Sequence, residues 1–213
     1  MQMEIVPVGE LEVNCLLLWE DPASAWLVDP GADAEVIAAE TQRHGLTVAR
    51  ILCTHGHIDH LGALDALLAA RTVPVHMHPE DARWAFTTLN RLPPAYPESP
   101  RRPADLRTDL RDGLRLADGG LEALVLATPG HTPGGICLHL PREKILITGD
   151  TLFAGSVGRT DLPGGDWRKL GRSLARLLAL PGETQVVPGH GPLTTIDAER
   201  RENPFLQRGA PAP

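Results

Sequence analysis

The sequence has 213 residues, 42% of them hydrophobic, and a formal net charge of −7 at pH 7. This length suits one α/β domain with a sizeable core, and we predict a single domain over residues 1–213. The acidic balance leaves no basic surplus to neutralise phosphates, so no nucleic-acid partner is expected. No apolar run approaches the roughly 20 residues of a membrane span, so no membrane partner is expected either.

The first residues and the cysteines predict the compartment. The segment MQMEIVPVGE has neither a basic n-region nor an apolar h-region, so no signal peptide is expected. Cys15, Cys53 and Cys137 lie in apolar runs, and none belongs to a Cys-x-x-Cys pair. We therefore expect buried free thiols, no thiolate metal site and a cytoplasmic protein.

Short strands and helices alternate along the first part of the chain. Apolar and β-branched runs predict strands over residues 3–8, 13–19, 25–29, 48–53 and 73–77. Helical spacing predicts helices over 32–44, around the leucines at 61, 64, 67 and 68, and over 80–90. Residues 92–103 are proline-rich, and Tyr96 lies among them. This stretch is either a lid or a connector.

A second group of strands follows. Strands are predicted over 114–116, 121–128, 136–140, 144–148 and 185–188, with helices over 167–180 and 196–203 and Asp166 as an N-cap. The tail GAPAP, residues 209–213, is expected to fray. Strands in two groups, each followed by helices, predict two packed sheets with helices outside.

The segment CTHGHIDHLG, residues 53–62, concentrates metal-binding side chains. His55 and His57 are two residues apart, so an extended backbone points both the same way, and Gly56 permits a tight turn between them. Asp59 and His60 fall in the first turn of the next helix and can point back toward the strand. This segment offers more ligands than one metal needs, which favours two adjacent metals.

Three distant residues complete the predicted site. His131, Asp150 and His190 each come shortly after a predicted strand and directly after a glycine. Imidazoles and carboxylates suit Zn²⁺, Fe²⁺ or Mn²⁺, and a bridging carboxylate can hold two cations about 3.5–4 Å apart. We predict two divalent metal ions, with zinc the expected metal and iron or manganese as alternatives.

The remaining histidines are assigned no metal. His76 and His78 are two residues apart, as His55 and His57 are, but no Asp-His pair follows them. His44 and His139 are expected at the surface or at a strand edge.

These motifs resemble a known family. THGHIDHLG resembles the His-x-His-x-Asp-His signature of the metallo-β-lactamase superfamily. PGHTPGG, GDTLFAGSVGRTDLPGGD and PGHGPLTTIDAERRENPFL are similar to segments of its glyoxalase II-like branch. The likeness runs over residues 28–206 and implies an α/β fold, the four-layer αββα sandwich.

The resemblance also implies a ligand assignment. His55, His57 and His131 would hold the first metal, and Asp59, His60 and His190 the second. Asp150 would bridge the two. All of these positions carry the residue that the family pattern requires.

The function implied by the resemblance is hydrolysis of a small-molecule thioester such as S-lactoylglutathione. A metal-bridging hydroxide would attack the carbonyl, and Asp59 would also orient this nucleophile. Arg159 would meet a substrate carboxylate, or else form only a structural ion pair with Asp161. Full-length glyoxalase II has a C-terminal helical region that helps to bind glutathione. This sequence ends soon after Phe205, as the short bacterial type does, which leaves glutathione specificity open.

Other functions compete with the thioesterase. A persulfide dioxygenase with a mononuclear iron shares the GRTD segment and the Glu-Arg-x-x-Asn-Pro ending. A lactonase, a β-lactamase or a phosphodiesterase of the same superfamily would use similar ligands. A metal-stabilised binding module is the non-catalytic alternative. Trp84 and Phe86 are interpreted as helix core rather than as parts of a substrate lid, and the oligomeric state stays open.

Overall fold

The computed structural model describes residues 1–69 and 71–207. The tail 209–213, which the sequence predicts to fray, lies outside them. Among the described residues, no helix is both long and apolar enough to cross a membrane.

The predicted elements appear in their predicted order, and four further two-residue strands, at 106–107, 152–153, 156–157 and 194–195, were not predicted. The strands are β1 (Gln2–Val8), β2 (Val13–Trp19), β3 (Ala25–Val28), β4 (Val48–Leu52), β5 (Val75–His76), β6 (Leu106–Arg107), β7 (Arg115–Asp118), β8 (Leu121–Ala127), β9 (Ile136–Leu140), β10 (Ile145–Gly149), β11 (Leu152–Phe153), β12 (Ser156–Val157), β13 (Gln185–Pro188) and β14 (Thr194–Thr195). The helices are α1 (Ala34–Arg43), α2 (Leu64–Leu68), α3 (Pro79–Ala82), α4 (Trp167–Leu177) and α5 (Ile196–Glu202).

Two six-stranded sheets and one two-stranded sheet, β11-β12, form within the described part of the chain. The first has the order β1-β2-β3-β4-β5-β6, and the second has the order β14-β13-β10-β9-β8-β7. β3 and β4 run parallel, as do β10 and β13. Parallel neighbours end at the same sheet edge, so the loops that follow β3 and β4, or β10 and β13, start side by side.

Strand β2 shows how the layers are built, because it is buried on both faces. Leu16 and Leu18 pack between the two sheets, whereas Cys15 and Leu17 face the core beneath the first helices. Successive strand residues point to opposite faces, so an uninterrupted apolar run is needed where both faces are covered. Cys15, Cys53 and Cys137 are buried free thiols, as predicted.

Helices cover the outer face of each sheet. Ile37 of α1 and Leu64 of α2 join the core of the first sheet, and the apolar residues of α4 join that of the second. In α4, Leu170, Leu174 and Leu177 share one buried face because their spacing follows the helical period. Each fully buried leucine contributes about 1.5–3 kcal/mol. The four-layer αββα sandwich is thereby confirmed.

The termini of α4 show one confirmed prediction and one wrong one. The carboxylate of Asp166 accepts the backbone N–H of Lys169 at 3.0 Å, so it is the N-cap that the sequence predicts. The helix ends at Leu177 rather than at residue 180. Pro181 follows, and the residue before a proline is disfavoured in the helical conformation.

The helix predicted over residues 80–90 is wrong in its length. Only α3 is helical, and turns continue to residue 89. The side-chain amide of Asn90 donates to the carbonyl oxygens of Gly56 and Ala85, at 2.8 and 2.6 Å. These bonds hold the segment against the loop that bears the histidines and replace a regular helical ladder.

Candidate metal centre

The predicted site residues meet where strands of both sheets end. His55 and His57 follow β4, and His131, Asp150 and His190 come after β8, β10 and β13. Backbone hydrogen bonds join two of these loops to strands of the opposite sheet. Asn14 N–H donates to the carbonyl of Gly189 at 2.7 Å, and Ile136 N–H donates to that of Thr54 at 2.9 Å. Asp59 and His60 lie in a single 3₁₀ turn rather than in the predicted helix.

The first trio consists of His55, His57 and His131. Nε2 of His55 lies 3.1 Å from Nδ1 of His57, which lies 2.9 Å from Nε2 of His131. Two nitrogens bound to one tetrahedral zinc at about 2.0–2.1 Å stand about 3.3 Å apart. The three nitrogens therefore have close to the spacing of ligands around one small cation, and they could hold a metal ion.

The second trio consists of Asp59, His60 and His190. Nε2 of His60 lies 3.3 Å from Nε2 of His190 and 3.7 Å from Oδ2 of Asp59, which is 3.4 Å from Nε2 of His190. This trio could likewise hold a metal ion. The structure therefore brings together both trios that the resemblance assigns, and His55, His60 and Asp150 form a further group that joins them.

Asp150 lies between the two trios. Its Oδ2 is 3.5 Å from Nε2 of His131 and 3.6 Å from Nε2 of His190, and its Oδ1 is 3.4 Å from Nε2 of His60. Oδ1 is buried and has no hydrogen-bond partner among the described residues. A buried carboxylate oxygen without a donor is costly unless a cation balances it, so this atom fits a bound metal.

Backbone carbonyls fix the tautomers of two histidines. Nδ1 of His131 donates to the carbonyl of Arg159, and Nδ1 of His190 donates to that of Leu11, both at 2.8 Å. A carbonyl can only accept, so each Nδ1 carries a proton and each Nε2 is the ring nitrogen that faces the site. Outer contacts of this kind orient metal ligands in proteins.

Asp29 performs the same task for two more histidines. Its carboxylate accepts Nδ1–H of His60 at 3.0 Å, and it accepts the hydroxyl and the backbone N–H of Thr54 at 2.6 and 2.7 Å. Since the Thr54 hydroxyl donates to Asp29, its oxygen is free to accept Nδ1–H of His55 at 3.2 Å. Sequence reasoning assigned no role to Asp29, although its place at the end of β3 was the available signal.

Gly189 has to be a glycine because the site crowds its backbone. A Cβ atom there would stand 2.3 Å from Oδ1 of Asp150 and 2.8 Å from Cε1 of His60. Any side chain would therefore displace one of these two groups.

The two trios differ in their affinity for protons. Burial and the neighbouring His131 lower the pKa of His57 to about 4, and burial with the nearby His60 holds the pKa of His55 well below its usual range. Burial also opposes protonation of His190, but hydrogen bonds to Asp150 and Asp59 outweigh it and raise its pKa to about 10. His55 and His57 therefore favour the neutral form, whereas His190 favours the protonated form.

The carboxylates of the site remain ionised. Burial by itself would raise the pKa of Asp59 and of Asp150, but His60 and His190 together outweigh it in both. The pKa of Asp59 is lowered, and that of Asp150 lies well below its usual range. Ionised carboxylates and neutral imidazoles are the ligand forms that divalent metals require.

Arg159 lies at the surface beside the site. Its guanidinium forms two hydrogen bonds with Asp161, at 2.7 and 2.8 Å, and the two side chains are 58% and 60% exposed. The structure therefore contains the ion pair given as the alternative to substrate binding. What sequence reasoning missed is the backbone carbonyl of Arg159, which holds His131.

The two aromatic residues near α3 have different surroundings. Trp84 lies against His57, with ring centroids 5.4 Å apart, and its indole N–H donates to Asp81 at 3.3 Å. Phe86 packs against the core of the first sheet. The interpretation as core residues holds for Phe86, whereas Trp84 is half-buried and borders the metal centre.

The other histidines are engaged elsewhere. Nδ1 of His76 hydrogen-bonds to Asp109 at 2.9 Å, and His78 caps α3 by accepting the N–H of Glu80 at 3.2 Å. The half-buried His44 lies 3.5 Å from a carboxylate oxygen of Glu4.

Comparison with known proteins gives one family. The family model described as "Metallo-beta-lactamase superfamily" matches residues 8–190. Hydroxyacylglutathione hydrolase GloC of Haemophilus influenzae is 36% identical over 97% of this chain and 98% of its own length. The probable metallo-hydrolase YqgX of Bacillus subtilis is 37% identical over 97% of this chain and 98% of its own length.

Solved structures agree with the sequence relatives. BLEG-1 B3 metallo-beta-lactamase is 38% identical, with a TM-score of 0.89 over 97% of this chain and all of that one. TTHA1623, solved in a di-iron-bound form, is 42% identical, with a TM-score of 0.82 over 95% of this chain and all of that one.

Proposed function

The chain belongs to the metallo-beta-lactamase superfamily, and we propose that within it this protein is a binuclear hydrolase of a small-molecule thioester such as S-lactoylglutathione. The observation that carries the proposal is the placement of Asp150 between two complete trios of ligand atoms. The hydrolase name of the Haemophilus influenzae relative supports the thioester.

Two divalent cations, when bound, would acidify a water between them and polarise the carbonyl of the substrate. The chain's own side chains prepare the place for this water. Oδ2 of Asp59, which belongs to an ionised carboxylate, lies 3.4 Å from Nε2 of His190. It can accept a hydrogen bond from the water and thereby orient the lone pair of the water.

Zinc is the metal we propose, since three imidazoles or two imidazoles with a carboxylate suit it. The di-iron form of TTHA1623 supports iron as the alternative. Three buried free thiols support the proposed cytoplasmic location.

Arg159 is proposed to bind a carboxylate of the substrate. Its backbone carbonyl accepts Nδ1–H of His131, so the residue borders the candidate metal centre, and its guanidinium is exposed. The side chain would exchange its carboxylate partner from Asp161 to the substrate, a match that the planar guanidinium fork allows.

Hydrolysis of a β-lactam is a second candidate, favoured by the B3 metallo-beta-lactamase among the similar structures. An amide and a thioester both present a carbonyl to the same metal centre. The two candidates therefore differ in substrate and not in the proposed ligands.

Turnover of several substrates by one metal-loaded preparation tests the proposal. We expect S-lactoylglutathione and simpler thioesters to be cleaved with release of a thiol, and an Asp150→Asn variant to lose this activity. β-Lactam cleavage without thioester cleavage would favour the second candidate. Oxygen uptake with glutathione persulfide, in a protein holding one iron, would contradict the proposal in favour of a persulfide dioxygenase.

A further inference from the structure

A buried carboxylate outside the two trios is bound by two separate loops. Asp81, in α3, is fully buried. Its Oδ1 accepts the backbone N–H of Gly134 at 2.7 Å and the indole N–H of Trp84 at 3.3 Å. Its Oδ2 accepts the backbone N–H of Gly56 at 2.9 Å and the hydroxyl of Thr132 at 2.7 Å. Four donors thus converge on one anion.

The loops that donate to Asp81 are those that carry the first trio. Gly56 lies between His55 and His57, and Thr132 follows His131. The backbone of Gly56 is held on both sides, because its N–H donates to Asp81 and its carbonyl accepts the amide of Asn90 at 2.8 Å. The contact at Gly134 is also close, since a Cβ there would stand 2.8 Å from the Asp81 carboxylate.

The second trio has different supports. His60 is oriented by Asp29, and His190 is oriented by the carbonyl of Leu11. Among the described residues, none of Asp59, His60 and His190 donates a hydrogen bond to Asp81, although Asp59 and His60 follow Gly56 in the same segment.

We propose that Asp81 is a positioning residue for the first trio, and that it sets metal affinity there without setting it at the second trio. The carboxylate holds the loop of His55 and His57 at a fixed distance from the loop of His131, so the three nitrogens converge before a metal arrives. Pre-organised ligands bind a metal more tightly because less order has to be imposed on binding. The negative charge of Asp81 also favours a cation nearby.

Asp81→Asn is the variant that tests this role. It keeps the size of the side chain but turns one acceptor oxygen into an amide group, which faces donors and cannot accept from them. Because Asp150 lies between both trios, metal affinity is measured in two backgrounds. His190→Ala leaves the first trio as the complete one, and His57→Ala leaves the second.

Affinity for Zn²⁺ is measured in the full-length chain, by competition with a chromophoric chelator, beside the melting temperature. We expect Asp81→Asn to weaken zinc binding about 10- to 100-fold in the His190→Ala background and less than about threefold in the His57→Ala background. Thr132→Val, which removes one of the four donors, should produce a smaller loss of about three- to tenfold at the first trio. This milder variant keeps the test decisive if Asp81→Asn does not fold.

Glu199→Gln is the matched control. Glu199 is also a buried carboxylate with several donors, which are the N–H of Gly155, the hydroxyl of Thr194 and the amide of Asn203. It should lower the melting temperature and leave zinc affinity at both trios unchanged. Equal weakening of both trios by Asp81→Asn, or no change at the first, would overturn the proposal.

This inference rests on the metal centre of the proposed function, yet the two can fail separately. A wild-type chain that binds zinc without cleaving a thioester overturns the substrate and leaves the role of Asp81 standing. A wild-type chain that does not bind zinc overturns both.

Discussion

Nδ1 of His60 lies 3.0 Å from Oδ2 of Asp29, and both side chains are buried, with 0% and 3% exposed. The carboxylate holds the ring so that Nε2 faces His190, Asp59 and Asp150. Through Thr54, the same carboxylate also reaches His55. One residue at the end of β3 therefore orients a histidine of each trio.

Asp29→Asn should lower both metal affinity and stability. Asparagine tolerates the left-handed backbone at this position, where φ is 50°, but it cannot accept all three hydrogen bonds. We expect zinc affinity to fall about 10- to 100-fold and the free energy of unfolding to fall by about 1–3 kcal/mol. Chelator competition and denaturant unfolding measure the two effects.

Asp33→Asn is the control for that prediction. Asp33 has the same φ of 50°, and its carboxylate accepts the N–H of Gly9 outside the two trios. If both variants changed zinc affinity equally, the role given to Asp29 would be wrong.

Metal binding at neutral pH should displace a proton from His190 and none from His57. A cation and a proton compete for the same imidazole lone pair. The pKa of His190 is raised to about 10, so this group is protonated below that pH and opposes the metal. The pKa of His57 is lowered to about 4, so it is neutral above about pH 5. Affinity at the second trio should therefore rise with pH toward 10, while His57 adds no pH dependence at the first trio above about pH 5.

Titration calorimetry in two buffers of different ionisation enthalpy counts the protons released at pH 7.5. The His57→Ala variant should release protons on binding zinc, and the His190→Ala variant should release far fewer. Equal release by both variants would contradict the assignment of the two pKa shifts.

Tyr96 should stabilise the proline-rich segment through its ring and not through its hydroxyl. The residue is 8% exposed, and its hydroxyl is buried without a partner among the described residues. Its backbone pairs with that of Leu92 through two hydrogen bonds of 2.7 Å. Tyr96→Phe should leave stability unchanged or slightly raised, while Tyr96→Ala should cost about 3–5 kcal/mol.

The Tyr96→Ala variant also tests whether Tyr96 borders the substrate. A higher KM in Tyr96→Ala, at unchanged metal content, would identify the segment as part of the substrate wall. An unchanged KM would leave it a structural connector.

Arg159→Ala should separate substrate binding from the ion pair with Asp161. An exposed pair contributes little stability, at most about 1 kcal/mol, so the melting temperature should barely change. We expect KM for an anionic thioester to rise, and kcat to change less, because the lost contact is the same in the ground state and the transition state. Asp161→Ala is the control, since it frees the guanidinium and should not raise KM.

The convergence of the proposed ligands could be predicted because strand ends are visible in a sequence. Each of His131, Asp150 and His190 comes shortly after an apolar run, and a glycine precedes each. Asp29 ends such a run too and could have been found by the same reasoning. The cap at Asp166 was equally visible, because only local bonds decide it.

Other groups that orient the proposed ligands leave no such signal in the sequence. The carbonyls of Leu11 and Arg159 orient two histidines, but every residue has a carbonyl, so composition cannot reveal them. Asp81 stands in the polar run PEDA, which is typical of a solvated helix start. Only the tertiary fold turns its side chain inward.

The number of metal ions bound per chain tests the central claim most directly. The full-length protein is stripped with a chelator, reloaded with zinc, freed of excess metal and analysed by elemental mass spectrometry. A binuclear centre bridged by Asp150 predicts two zinc ions per chain, falling to about one in Asp59→Ala. A single ion in the wild-type chain, unchanged by Asp59→Ala, would contradict it.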